Sequence, residues 1–169
     1  MDNGGLMIAT PHHVGLVVSD LDAAMQSYSE RFGYNFFEFE VTQQNATLSG
    51  SSGSFSLRIG IGQAAVNLIE LIQPVSGTTL YSRYLAERGS GLHHLAFSVT
   101  DLATARKRLA DCGYPCLQDG SIHGLVDFSY YEAPEMACIV EPLVLSYDLL
   151  GFLAQNARAY VSKPDDPSR

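Results

Sequence analysis

The sequence predicts an α+β fold made of two tandem copies of one strand–helix–three-strand unit. Three observations predict it: a long-range repeat, a matching order of elements in the two halves, and strands whose two faces are chemically unlike. The repeat pairs Pro11-His12-His13-Val14-Gly15-Leu16-Val17-Val18-Ser19-Asp20-Leu21 with Leu92-His93-His94-Leu95-Ala96-Phe97-Ser98-Val99-Thr100-Asp101-Leu102 at a constant offset of 81. Similarity at a fixed offset means that one supersecondary unit is used twice.

The elements follow in order. Residues 12–18 read as a strand, and Ser19 or Asp20 caps the next helix, because a short side-chain oxygen accepts its first free amide hydrogens. The helix covers 21–32, with Leu21, Ala24, Met25 and Tyr28 at helical spacing. Gly33 stops it. Residues 34–41 form a strand, and 42–53 a loop or hairpin connection rich in Ser, Gly and Asn. Phe55, Leu57, Ile59 and Ile61 alternate with small or polar residues, the pattern of a strand. The strand 65–72 is closed by Pro74. A short helix over 79–88 links the units. The second unit then reads as strand 93–99, a cap at Thr100 or Asp101, helix 102–112, Gly113, strand 114–117, a turn at Asp119-Gly120, and strands 125–131 and 136–143. Module one is expected over about 10–75, module two over about 91–145, and an extension over 146–169, all in a single domain. Leu149, Leu150, Leu153 and Tyr160 would line one face of a terminal helix that docks on the fold, covers a pocket or meets a partner subunit.

Composition narrows the class. A chain of 169 residues with 46% hydrophobic and 17% charged residues is long enough for a real core and is not of the disordered type. The net charge of −8 excludes the basic surface that nucleic-acid binding needs. No run of eighteen apolar residues offers a membrane span, and the first ten residues lack the basic start and apolar core of a signal peptide. Cys112, Cys116 and Cys138 form neither a disulfide framework nor a zinc-binding pair and read as small core residues in a reduced, cytoplasmic protein.

Strand parity brings the chemistry together. His13, Gly15 and Val17 share one face of the first strand, and Val14, Leu16 and Val18 the other. In its twin His94, Ala96 and Ser98 oppose Leu95, Phe97 and Val99. One face is bulky and suits packing under a helix; the other carries a histidine followed by small residues and leaves room for something that is not protein. By the same parity His12 and His93 face away. Each closing strand holds one carboxylate in an apolar run: Glu70 with Leu68 and Ile72, Glu141 with Ile139 and Leu143. An unpaired buried carboxylate is costly, so such a residue calls for a cation or a proton. Two histidines and two glutamates, one of each from each unit, suit a divalent first-row metal with positions left for water or substrate.

On these residues the chain resembles the vicinal oxygen chelate superfamily, and within it the methylmalonyl-CoA epimerase and glyoxalase I branches. The similarity covers about residues 10–145, and Gly91-Leu92-His93-His94-Leu95-Ala96 is its most specific part. The resemblance implies that the two units curl into a cup-shaped mixed β-sheet with helices outside, and that one divalent ion sits in the cup. Position by position, its ligands fall on His13, Glu70, His94 and Glu141. The metal would be cobalt, manganese, nickel, zinc, magnesium or iron. A homodimer is also implied. Epimerases usually carry Gln at the place of Glu70, whereas bacterial glyoxalase I enzymes carry Glu.

The resemblance implies chemistry on a carbonyl substrate through an enolate or enediolate, with Glu141, or Glu70 once released from the metal, moving the proton. A metal-dependent isomerase or epimerase of an acyl-CoA-like or related carbonyl acid is the leading expectation. A glyoxalase I-type lyase acting on a thiol–aldehyde adduct is the alternative. A non-enzymatic small-molecule or antibiotic-binding protein, as in bleomycin resistance, is a third reading. An extradiol dioxygenase is weaker, since only His123 is spare for it. Arg58 reads either as a salt-bridging surface residue or as a bidentate grip on a substrate carboxylate or phosphate. Tyr130 and Tyr131 read as packing residues.

Overall fold

The computed structural model describes residues 9–48, 51–65, 67–122, 124–146, 155 and 157–160. The first unit runs β1 (Thr10–Val17), α1 (Leu21–Phe32), β2 (Asn35–Leu48), β3 (Ser51–Ala64) and β4 (Asn67–Ser76). After α2 (Leu80–Arg88) the second runs β5 (Gly91–Ser98), α3 (Leu102–Asp111), β6 (Cys116–Ile122), β7 (Val126–Ala133) and β8 (Cys138–Leu145), with a 3₁₀ turn at Pro134–Met136 before β8. A two-residue strand, β9 (Arg158–Ala159), pairs with the edge of β2.

Among the described residues the strands form one sheet in the order β6-β7-β8-β5-β1-β4-β3-β2-β9. The first strand of each unit, β1 or β5, lies parallel to its own closing strand, β4 or β8. The two first strands meet antiparallel in the middle of the sheet. The sheet curls into a cup, the shape expected from the sequence. No helix among the described residues is long and apolar enough to cross a membrane.

The repeat extends to the helix caps. Asp20 (φ −142°, ψ 106°) accepts from the Ala23 amide at 3.0 Å, and Asp101 (φ −144°, ψ 109°) accepts from the Ala103 amide at 2.9 Å. Gly33 follows α1 at φ 71°, a left-handed conformation that strains other residues.

Each face of the sheet packs as parity dictates. On the outer face Leu21 and Met25 of α1 pack with Val18, Phe36, Ile69 and Leu71. α3 covers Tyr131, Ala133 and Val140 with Leu109 and Phe97. On the inner face Val17, Leu57, Ile59, Ile72, Phe128 and Leu143 form a third cluster. The linker helix α2 inserts Tyr81, Leu80, Tyr84 and Leu85 into that cluster, so it lies over the cup rather than behind it.

Several local expectations need correction. β2 and β3 continue through much of 42–53 as one long hairpin. β4 runs past Pro74 to Ser76; Pro74 sits opposite Leu57 beside a shift in register, where a missing amide hydrogen costs least. Asp119-Gly120 is no turn but lies inside β6, with the Phe128 ring over Gly120 where a side chain would stand. Cys112 and Cys116 are exposed and Cys138 is half-buried, so the first two are not core residues. Residues 158–159 are strand, not helix, because β2 offers a free edge there; Leu149, Leu150 and Leu153 lie outside the described residues.

Leu71 is fully buried between α1 and the sheet. Leu71→Ala is expected to destabilise the protein by about 2–5 kcal/mol, read as a lower urea midpoint at unchanged slope.

Candidate metal centre

The central seam places the site. β1 and β5 run antiparallel so that His13 is paired with Ala96 and His94 with Gly15. On the far side of each small residue stands a carboxylate: Gly15 is paired with Glu70 on β4, and Ala96 with Glu141 on β8. The site is thus two rows across the sheet, each reading carboxylate, small residue, histidine. The small residue is a steric requirement. A Cβ on Gly15 would stand 2.0 Å from Cε1 of His94 and 2.1 Å from its Nε2, so the His94 ring occupies the space of the missing side chain.

The four side chains converge. The Nε2 atoms of His13 and His94 are 3.1 Å apart. Oε2 of Glu70 lies 3.4 Å from each, and Oε2 of Glu141 lies 3.5 Å from His13 and 3.2 Å from His94. Donors held at roughly 2.0–2.2 Å around one divalent ion are separated by about 3.0–3.5 Å, so the arrangement fits an ion at its centre. The Glu141 Oε2 atom is buried without a hydrogen-bond partner, which also fits a cation. His13, Glu70 and His94 by themselves form a group able to hold a metal ion.

The carboxylates differ in character. Burial opposes ionisation of Glu70, but hydrogen bonds from His13 and His94 outweigh it and hold the carboxyl well below its usual range. Burial pushes Glu141 upward against the pull of His94 and His13. His13 loses charge stabilisation to burial, yet its bond to Glu70 raises it above an ordinary histidine.

His12 and His93 do not face away. The β1–β5 register slips between Pro11 and His13 and again between Gly15 and Leu16, leaving His12 and His93 without a cross-strand partner. Each is a β-bulge, where the extra residue breaks the alternation on which parity counting depends. His12 Nδ1 lies 2.8 Å from His13 Nδ1, and His93 Nδ1 lies 3.0 Å from His94 Nδ1. Burial holds His93 down to about 3 and lowers His12 as well, so both are uncharged at neutral pH.

Tyr130 belongs to the site as well as to the core. Its ring lies 5.3 Å from that of His94, and its hydroxyl is 2.7 Å from the Tyr81 hydroxyl. Both phenols are pushed well above their ordinary range by burial. Only the alternation of β7, which puts Phe128 and Tyr130 on the inner face, signals this contact in the sequence. Tyr131 packs on the outer face under α3. Beside the site a cavity of about 450 Å³ opens between α2 and the start of β8, lined by Tyr84, Arg83, Arg88, His93 and Ile139.

Arg58 is not brought to this site. It stands on the outer face, donating through Nη2 to Asp22 on α1 at 3.0 Å and through Nε to Glu38 at 2.9 Å. His123 lies outside the described residues.

Residues 12–130 match the sequence pattern of the Glyoxalase/Bleomycin resistance protein/Dioxygenase superfamily, and the chain belongs to it. The fold is that of a methylmalonyl-CoA epimerase from Mycobacterium tuberculosis, at TM-score 0.63 and 19% identity over 87% of this chain and 95% of that one. It is equally that of a methylmalonyl-CoA epimerase solved with methylmalonyl-CoA and NH4+, at TM-score 0.59 and 19% identity over 82% and 96%. An uncharacterized protein of Bacillus subtilis (strain 168), YqjC, is 25% identical over 99 residues, 59% of this chain. The match covers 64% of that relative, less than two thirds of its length.

Gly15→Ala forces His94 out of its place. It is expected to weaken cobalt binding by about tenfold or more, the cost of disturbing a ligand's support, in a titration of the purified protein.

Proposed function

We propose that this protein is a metal-dependent isomerase of the epimerase kind, acting on an acyl thioester or a related carbonyl acid with an acidic C–H. The observation that carries the reading is the convergence of two histidines and two carboxylates within 3.1–3.5 Å on the inner face. A binder needs no such set, since burying two carboxylates for shape alone is costly. Support comes also from the epimerase fold, one example of which was solved with methylmalonyl-CoA.

His13, Glu70, His94 and Glu141 would hold the ion. When bound, the ion supplies Lewis-acid charge that stabilises negative charge developing on a carbonyl oxygen. The chain's own residues supply the rest. Glu70, whose carboxyl is held well below its usual range, stays a ligand. Burial pushes the Glu141 carboxyl upward, and its Oε2 has no hydrogen-bond partner, so Glu141 is the carboxylate assigned to take the proton from carbon. Tyr130 packs against the His94 ring, and Tyr81 braces Tyr130 from α2. The inner cluster around them excludes water.

A glyoxalase-type lyase would use the same proton transfer on a thiol–aldehyde adduct, and the carboxylate at Glu70 is the feature that favours it. One experiment separates the readings. Metal content is measured on protein purified without chelator or histidine tag, beside Glu141→Ala. About one divalent ion per chain is expected, and much less in the variant, as for a four-ligand site losing one donor. The wild type is then incubated in deuterated water with methylmalonyl-CoA and, separately, with a methylglyoxal–thiol adduct. Deuterium entering the acyl thioester alone supports the isomerase, and turnover of the adduct alone supports the lyase. No metal in either protein, and none taken up from cobalt or nickel, would sink both.

A further inference from the structure

The metal set uses one histidine of each doublet and leaves the other without a role. We propose that His12 and His93 are positioning residues, each accepting on Nδ1 a hydrogen bond from the Nδ1–H of the histidine that follows it. Each thereby turns the Nε2 lone pair of His13 or His94 toward the metal. This rests on the metal reading above and adds what aims its nitrogen ligands.

The argument starts from the bulges. In a regular strand neighbouring side chains point to opposite faces, so adjacent imidazoles do not touch. An extra residue at His12 and another at His93 bring both rings of each doublet to one side. The outcome is the same twice over. The Nδ1 atoms meet at 2.8 Å in the first doublet and 3.0 Å in the second. The rings stand edge to face at 76° with centroids 5.1 Å apart, and at 89° and 5.3 Å. The strands around them differ in sequence, with Pro11 before one doublet and Leu92 before the other. The shared feature is the ring-to-ring contact.

A contact between two imidazole nitrogens needs one hydrogen and one lone pair, and a neutral imidazole carries a single hydrogen. A histidine that binds a cation through Nε2 must keep its hydrogen on Nδ1. His13 and His94 are therefore the donors, and His12 and His93 the acceptors, holding their own hydrogens on Nε2. For His93 that Nε2 is buried, has no partner in the protein, and belongs to the ring lining the cavity beside α2. Ligand histidines usually donate their second N–H to a carboxylate or a carbonyl. A neutral imidazole does the same work without adding negative charge to a centre that already contains two carboxylates.

The test uses the full chain and cobalt(II) as the probe. Affinity is measured by competition with a chromophoric chelator, beside the thermal unfolding of the metal-free protein. His93→Leu keeps bulk but offers no acceptor; His93→Asn places an oxygen near the lost Nδ1. His93→Leu is expected to bind cobalt about 10–100-fold more weakly, the usual cost of losing a ligand's supporting partner. His93→Asn is expected to regain most of that loss, whatever its melting temperature. His12→Leu and His12→Asn should repeat the pattern at the half-buried doublet, and they carry the test if His93→Leu does not fold. Leu and Asn variants that weaken together, or Leu variants that bind like wild type, overturn the positioning role and leave the metal reading standing. A wild type that binds no cobalt overturns both.

Discussion

Everything in this structure depends on the antiparallel seam between β1 and β5. Those strands bring two imidazoles together edge to face, with their Nε2 atoms 3.1 Å apart, in the floor of an otherwise apolar cup. Such a concentration of polar groups is costly unless they face opposite charges or a cation. The rest of the sheet meets that demand. β4 and β8 flank the seam in parallel and deliver one carboxylate each. Gly15 and Ala96 supply the space in which the rings stand.

The same constraint explains the asymmetry laid over the twofold plan. Both carboxylates face both histidines, yet the Glu70 carboxyl is held below its usual range while burial pushes that of Glu141 up. Tyr130 comes from β7 and Tyr81 from the linker helix, and the pair has no counterpart in the repeated motif. The paired phenols thus stand on one side of the site, with Tyr130 against the His94 ring.

Much of this was legible in the chain itself. The offset of 81 between the two histidine doublets announced a duplicated unit, and strand parity put His13, Glu70, His94 and Glu141 on one face. Two kinds of residue were misread. His12 and His93 were assigned to the wrong face, because parity assumes an unbroken strand and a bulge leaves no signature in residue identity. Arg58 was weighed as a substrate grip, although Asp22 and Glu38 hold it on the outer face; the acidic partners come from α1 and β2, and no local pattern ties them to it.

The order of residues along the chain therefore settled the unit, its duplication, the helix caps and the donor types, since each follows from local spacing and hydrogen-bonding chemistry. Strand order, register and bulges settled the remainder: which small residue lies under which ring, how the doublets touch, and that Tyr81 meets Tyr130 beside His94. Those contacts join residues far apart in the chain, and their geometry is fixed by pairing across the sheet, which a one-dimensional pattern does not encode.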